Sequence, residues 1–124
     1  MSGRAILLGI ALIVLAPTAS RADELPAGQR VFVRECAKCH EIGPGARNRV
    51  GPQLNGLFGR KAGSVADFKY YSAANRDAGF VWTPEFFARF VQDPKGMLRG
   101  TTQVYSGLKD PKDIQPLIEY LARY

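Results

Sequence analysis

Both cysteines of the chain and its only histidine fall within five residues, Cys36-Ala37-Lys38-Cys39-His40. The spacing Cys-x-x-Cys-His is the attachment signature of a c-type haem. Two thiols so spaced add across the two vinyl groups of the macrocycle and leave two thioethers. The adjoining imidazole then faces the iron from one side. Other uses of the same residues meet specific obstacles. A thioredoxin-like dithiol follows a strand in a βαβ unit, and no such pattern precedes Cys36. A structural zinc site takes four ligands, and the chain has no second Cys or His pair. A plain disulfide would give His40 nothing to do. The expectation is one covalently held haem c, with Cys36 and Cys39 as its anchors and His40 as the proximal iron ligand.

The start of the chain points to export. Met1-Ser2-Gly3-Arg4 is short and basic, Ala5–Ala16 is apolar throughout, and Pro17 breaks the run. Ser20-Arg21-Ala22 then offers small residues at the −3 and −1 positions of a cut after Ala22. This is the layout of a secretory signal peptide, and the apolar run is too short for a comfortable membrane span. Residues 1–22 are therefore expected to be cleaved, leaving 23–124 as one domain in an oxidising compartment, the periplasm if the source is Gram-negative. Losing Arg4 and Arg21 lowers the net charge from +6 to +4, too little to argue for nucleic-acid binding. A domain of about 100 residues buries only roughly 60–65% of its unfolded surface, so a stapling cofactor suits it.

Three helices are predicted. Val31, Phe32 and Cys36 share a face of the first, over Gly28–Cys36. Thr83-Pro84-Glu85 opens the second with a capping hydroxyl, a proline in the first turn and an acid at the positive dipole end. Pro94 limits it to about Asp93. Ile114, Leu117, Ile118 and Leu121 form the stripe of a third, starting near Asp113 so that Pro116 lies in its first turn. Residues 41–81 hold seven Gly and two Pro and no sustained period of two. At most a short helix near Ser72–Arg76 is expected there. So long a stretch without regular structure needs an organiser other than the backbone, and a large apolar cofactor would serve.

Beyond the haem motif, several segments carry a family likeness: Gly51-Pro52-Gln53-Leu54-Asn55-Gly56-Leu57-Phe58-Gly59-Arg60, then Phe68, Tyr70, Asn75 and Trp82. Asp93-Pro94-Lys95, Gly100-Thr101, Gly107-Leu108-Lys109 and Leu117-Ile118-Glu119-Tyr120-Leu121 extend it. With these the chain resembles a class I cytochrome c of the mitochondrial type, across essentially all of 23–124. The resemblance implies an all-α fold of helices and long loops wrapped around one haem. It implies that the Pro52 carbonyl accepts the second ring N–H of His40, and that Arg60, Tyr70 and Trp82 bond or neutralise the propionates. Asn75 would belong to the same propionate loop, and Thr101 to the loop on the far side of the iron. Gly28 and Phe32 would pack against Leu117 and Tyr120.

One departure from the family is chemically important. Its Gly-Thr-x-Met segment supplies the second axial ligand, and here the stretch reads Gly100-Thr101-Thr102-Gln103. Arg99 replaces the usual preceding Pro, and Phe90 stands where a Tyr hydroxyl usually lies near the sulfur. Three arrangements remain open. Gln103 could ligate through its side-chain oxygen, which favours Fe(III) and lowers the potential relative to Met. Met97, six residues earlier, could swing in. The position could instead be open or held by water, with Lys109 or Lys95 as a minor variant.

The function implied is a one-electron carrier between larger redox proteins, such as a membrane complex, an oxidase or a dehydrogenase. It would act as a monomer, without nucleic acid. Lys38, Lys95, Arg99 and Lys109 would surround the exposed haem edge and steer an acidic partner. Glu35 and Thr102 thin that ring, because the family commonly has Lys there. The alternative is a gas-binding or sensing haem protein with an open sixth position. A peroxidase would need a distal acid–base group, and none lies near Gln103 in sequence; the chain is expected not to be an enzyme.

Overall fold

The computed structural model describes Met1, residues 11–18 and residues 24–124. Most of the leader, including the expected cut after Ala22, lies outside the described residues. Residues 11–18 are exposed and without regular structure. Among the described residues no helix is long and apolar enough to cross a membrane. The fold is helical: α1 (Ala27–Glu35), α2 (Ala73–Arg76), α3 (Pro84–Phe90), α4 (Pro94–Met97) and α5 (Ile114–Leu121), with a 3-10 turn at Pro111–Asp113.

The frame is the crossing of α1 and α5. Val31 and Phe32 face inward from α1 and meet Leu117, Ile118, Tyr120 and Leu121 of α5. Leu117 and Leu121 are 0% and 1% exposed, and each such burial stabilises by about 1.5–3 kcal/mol. The rings of Phe32 and Tyr120 lie 5.5 Å apart. Gly28 is what lets the backbones approach: a Cβ there would lie 2.0 Å from the Pro116 carbonyl oxygen and 2.7 Å from Tyr120 Cβ.

α3 starts as its residues dictate. Thr83 Oγ1 accepts from Phe86 N–H at 3.1 Å, and Pro84 occupies the first turn. Its end differs from the expected Asp93. The helix proper stops at Phe90 and decays through looser turns, because Asp93 turns its side chain forward and caps α4, accepting from Gly96 N–H at 3.0 Å. Above α3 sits an aromatic cluster in which Trp82 meets Phe80 and Phe90 edge-on, at 4.9 and 4.8 Å between centroids.

The stretch 41–81 is more ordered by its backbone than its composition suggests. Gly59 N–H donates to the Trp82 carbonyl, Trp82 N–H to the Arg60 carbonyl, and Ala62 N–H to the Phe80 carbonyl. These bonds form a short antiparallel contact, with the isolated bridge Lys61↔Val81. Gly56 N–H also bonds the Tyr124 carbonyl at 2.6 Å. The backbone therefore supplies part of the organisation expected from a cofactor alone. α2 forms at Ala73–Arg76, with Ser72 as its cap.

Candidate haem-binding site

The proximal side grows from the end of α1. Past Glu35 the chain continues in a tight turn, with Cys39 N–H and His40 N–H both donating to the Cys36 carbonyl at 3.0 and 2.9 Å. That winding puts Cys36, Cys39 and His40 on one side, as i, i+3 and i+4 positions are in a helix. Both thiols are free. Burial, then the neighbouring Glu35, pushes the Cys36 thiol up to about 12. A dithiol redox centre needs the opposite, a lowered thiol that attacks as thiolate.

His40 is fixed from two directions. Its Nδ1–H donates to the Pro52 carbonyl at 2.7 Å, which leaves the Nε2 lone pair for a metal and makes the ring more basic as a ligand. Burial nevertheless lowers its pKa, so the imidazole is neutral near pH 7. Gly51 lies flat against the ring, and a Cβ there would be 2.2 Å from Cε1 of His40. The Pro52 loop is itself tied down: Gly43 N–H donates to Asn55 Oδ1 at 2.7 Å, and Asn55 Nδ2 donates back to the Gly43 carbonyl at 2.9 Å. Gly51→Ala should therefore displace the imidazole, costing about 2 kcal/mol in guanidinium unfolding and giving the ferric holoprotein a high-spin component. An unchanged spectrum would show that the ring has room to move.

Arg60 lies half-buried beside this loop. Its Nη1 donates to the Gln53 carbonyl at 2.9 Å and the Asn55 carbonyl at 3.2 Å. Among the described residues no carboxylate ion-pairs with it, and burial lowers its pKa. Its remaining donors suit an anionic group. Trp82 is buried, and Asn75 is half-buried in α2. Tyr70 differs from the expected inward placement. It is 79% exposed, with its ring edge on Phe68. Tyr71 takes the half-buried place instead: its ring packs on Phe68 at 4.8 Å, and its hydroxyl accepts from Val65 N–H at 3.2 Å. Two adjacent tyrosines offered no sequence signal for which one turns in.

The distal residues lie on a separate extended loop. Inward and outward positions alternate along it: Thr101, Gln103 and Tyr105 are half-buried, while Thr102, Val104 and Ser106 are exposed. Gln103 N–H donates to Thr101 Oγ1 at 3.2 Å. Met97 closes α4, its N–H bonded to the Asp93 carbonyl at 3.0 Å, and packs on the core. Lys38, Lys95, Arg99 and Lys109 are all exposed.

A haem fits this donor set. Two free thiols and a neutral imidazole with one committed nitrogen converge on one side, and Arg60 offers an unpaired cation to propionates. A shallow, open cavity borders His40, lined by Phe32, Ala37, Ile42 and Arg49 among others, with neither cysteine nor Arg60 in its lining. Cys36, Cys39, His40 and Pro52 thus form one cluster, with Arg60 linked to it through Gln53. Thr101 and Gln103 do not line that cavity. Sequence reasoning missed Asn55, Tyr71 and the clamp of Gly51 on His40.

Comparisons with known proteins add likenesses of sequence and fold. The sequence profile of the cytochrome c family matches residues 25–123. Cytochrome c2 of Blastochloris viridis is 39% identical over 121 residues, covering 98% of this chain and 94% of that protein. Cytochrome c of Cannabis sativa is 42% identical, over 77% of this chain and 85% of its own length. Among solved structures, cytochrome cH from Methylobacterium extorquens superposes with a TM-score of 0.71 at 36% identity, covering 79% of this chain and 96% of that one.

Proposed function

This chain belongs to the cytochrome c family, and on that premise we propose that it carries single electrons between larger redox proteins with Gln103, not a methionine, at the sixth iron position. It is an electron carrier and not an enzyme, and it holds one haem c covalently. The observation that carries the haem reading is the committed imidazole: His40 gives one nitrogen to Pro52 and keeps the other free, beside two free cysteines.

When bound, the haem supplies the one-electron Fe(III)/Fe(II) couple. Cys36 and Cys39 anchor it through thioethers, and His40 Nε2 faces the iron. Pro52 holds the ring in the tautomer that ligation needs. Arg60, with Trp82 and Asn75, meets the propionates, and Tyr71 is better placed for this than Tyr70. Thr101 braces the distal loop through its bond to the Gln103 amide. Gln103 Oε1 supplies a hard oxygen, which favours the ferric state. Met97 stays in α4, where ligation would require unwinding a helix packed on the core. Lys38, Lys95, Arg99 and Lys109 receive an acidic redox partner, and export delivers the carrier to the periplasm in a Gram-negative source.

The optical spectrum of the holoprotein, with carbon monoxide added to the ferrous form, tests the ligation. A low-spin spectrum without the sulfur-to-iron charge-transfer band, with only slow binding of carbon monoxide, is expected. A high-spin spectrum with rapid binding would overturn Gln103 ligation and favour a gas-binding role. A sulfur band would transfer the ligand to Met97.

A further inference from the structure

The distal loop has few holds of its own. Thr101 N–H bonds the Leu98 carbonyl at 3.1 Å at its start, and Leu108 N–H bonds the Val91 carbonyl at 2.7 Å after its end. Gly107 closes that end against the Gln92 carbonyl, where a Cβ would lie at 2.1 Å. Between them the chain is extended, and successive side chains point to opposite sides. Gln103 and Tyr105 therefore share the inward side, and Val104 between them is 84% exposed.

One contact fastens this middle stretch to a distant element. Tyr105 Oη–H donates to Glu35 Oε2 at 2.7 Å, across 70 residues of sequence. The acceptor is well held: Arg34 Nε donates to Glu35 Oε1 at 2.7 Å, and another nitrogen of Arg34 bonds Asp113 at the start of α5. The loop is thus joined through one phenol to a carboxylate braced by both terminal helices. Bonding to Arg34 holds the Glu35 carboxyl below its usual range, and a hydrogen bond to a carboxylate is the stronger kind.

We propose that Tyr105 is a positioning residue for Gln103, latching the distal loop to α1 through Glu35. The latch sets how often the loop lifts and the sixth position becomes reachable. Its bearing on the iron rests on Gln103 being the ligand, whereas the closure of the loop does not. Glu35, which thins the basic ring around the site, thereby has a structural task.

Hydrogen exchange of the Gln103 amide, whose N–H bonds Thr101 Oγ1, tests the latch directly in the ferric holoprotein. Tyr105→Phe, which removes only the hydroxyl, should speed this amide about tenfold, equivalent to ~1.4 kcal/mol. Glu35→Ala should match it, the double variant should add little, and Glu35→Gln, which keeps a carbonyl acceptor, should recover much of the protection. The Leu121 amide reports global unfolding, which breaks the same bond, so in Tyr105→Phe it should speed by no more than the loop amide does. Wild-type exchange in both Tyr105→Phe and Glu35→Ala would overturn the proposal. Carbon monoxide association with the ferrous protein separates the two readings. A rate raised about tenfold alongside faster exchange supports both. Faster exchange with an unchanged rate supports the latch and overturns Gln103 as the group it guards.

Discussion

Gly28→Ala should lower the thermal midpoint of the holoprotein by roughly 12–24 °C. The added carbon would stand 2.0 Å from the Pro116 carbonyl oxygen and 2.7 Å from Tyr120 Cβ. Neither neighbour is the tip of a flexible side chain. Relief must come from moving α5 away from α1, which loosens Phe32, Leu117 and Leu121 together. Overpacking of this kind costs about 3 kcal/mol or somewhat more. In a domain of this size each kcal/mol shifts the midpoint by about 4–8 °C. Calorimetry of the holoprotein checks it. A shift under about 3 °C would mean that α5 slides along α1 at little cost.

Gln103→Met should produce the second large effect, on the reduction potential. A thioether stabilises Fe(II) where an amide oxygen stabilises Fe(III). Each tenfold of added preference for the ferrous form raises a one-electron potential by about 59 mV. A rise exceeding that step is expected, together with the appearance of the sulfur-to-iron band. The loop need not be rebuilt for the exchange. Gln103 already shares the inward side with Thr101 and Tyr105, and the two side chains are similar in length. A potential unchanged within error, with no new band, would show that residue 103 does not reach the iron.

Much of the frame was legible because the signals are local. Thr83-Pro84-Glu85 names the start of α3 in three adjacent residues, and Ser72 caps α2 in the same way. The stripe from Ile114 to Leu121 gives α5 and explains why Pro116 is tolerated. The five residues at 36–40 give the chemistry, because their spacing is itself the geometry of a turn. The illegible parts depend on distance. Nothing near Glu35 in sequence announces Tyr105, and the contact of 59–62 with 80–82 is too short to display a period of two. Asp93 could be read as ending one helix or capping the next, and its bond to Gly96 shows the second use. Nothing in the sequence marks Asn55 as the partner of Gly43, yet its amide does the work of a backbone pair there.

The pairing of α1 with α5 bears on the order in which the chain can fold. Phe32 and Tyr120 are separated by roughly 90 residues, and closing so long a loop costs entropy before the contact returns anything. During synthesis α1 appears first and waits for a partner that arrives among the last residues made. Until Leu117 and Leu121 emerge, the inward face of α1 has nothing to cover it. The position of α5 thus sets how long Val31 and Phe32 stay uncovered, and its docking ends that interval.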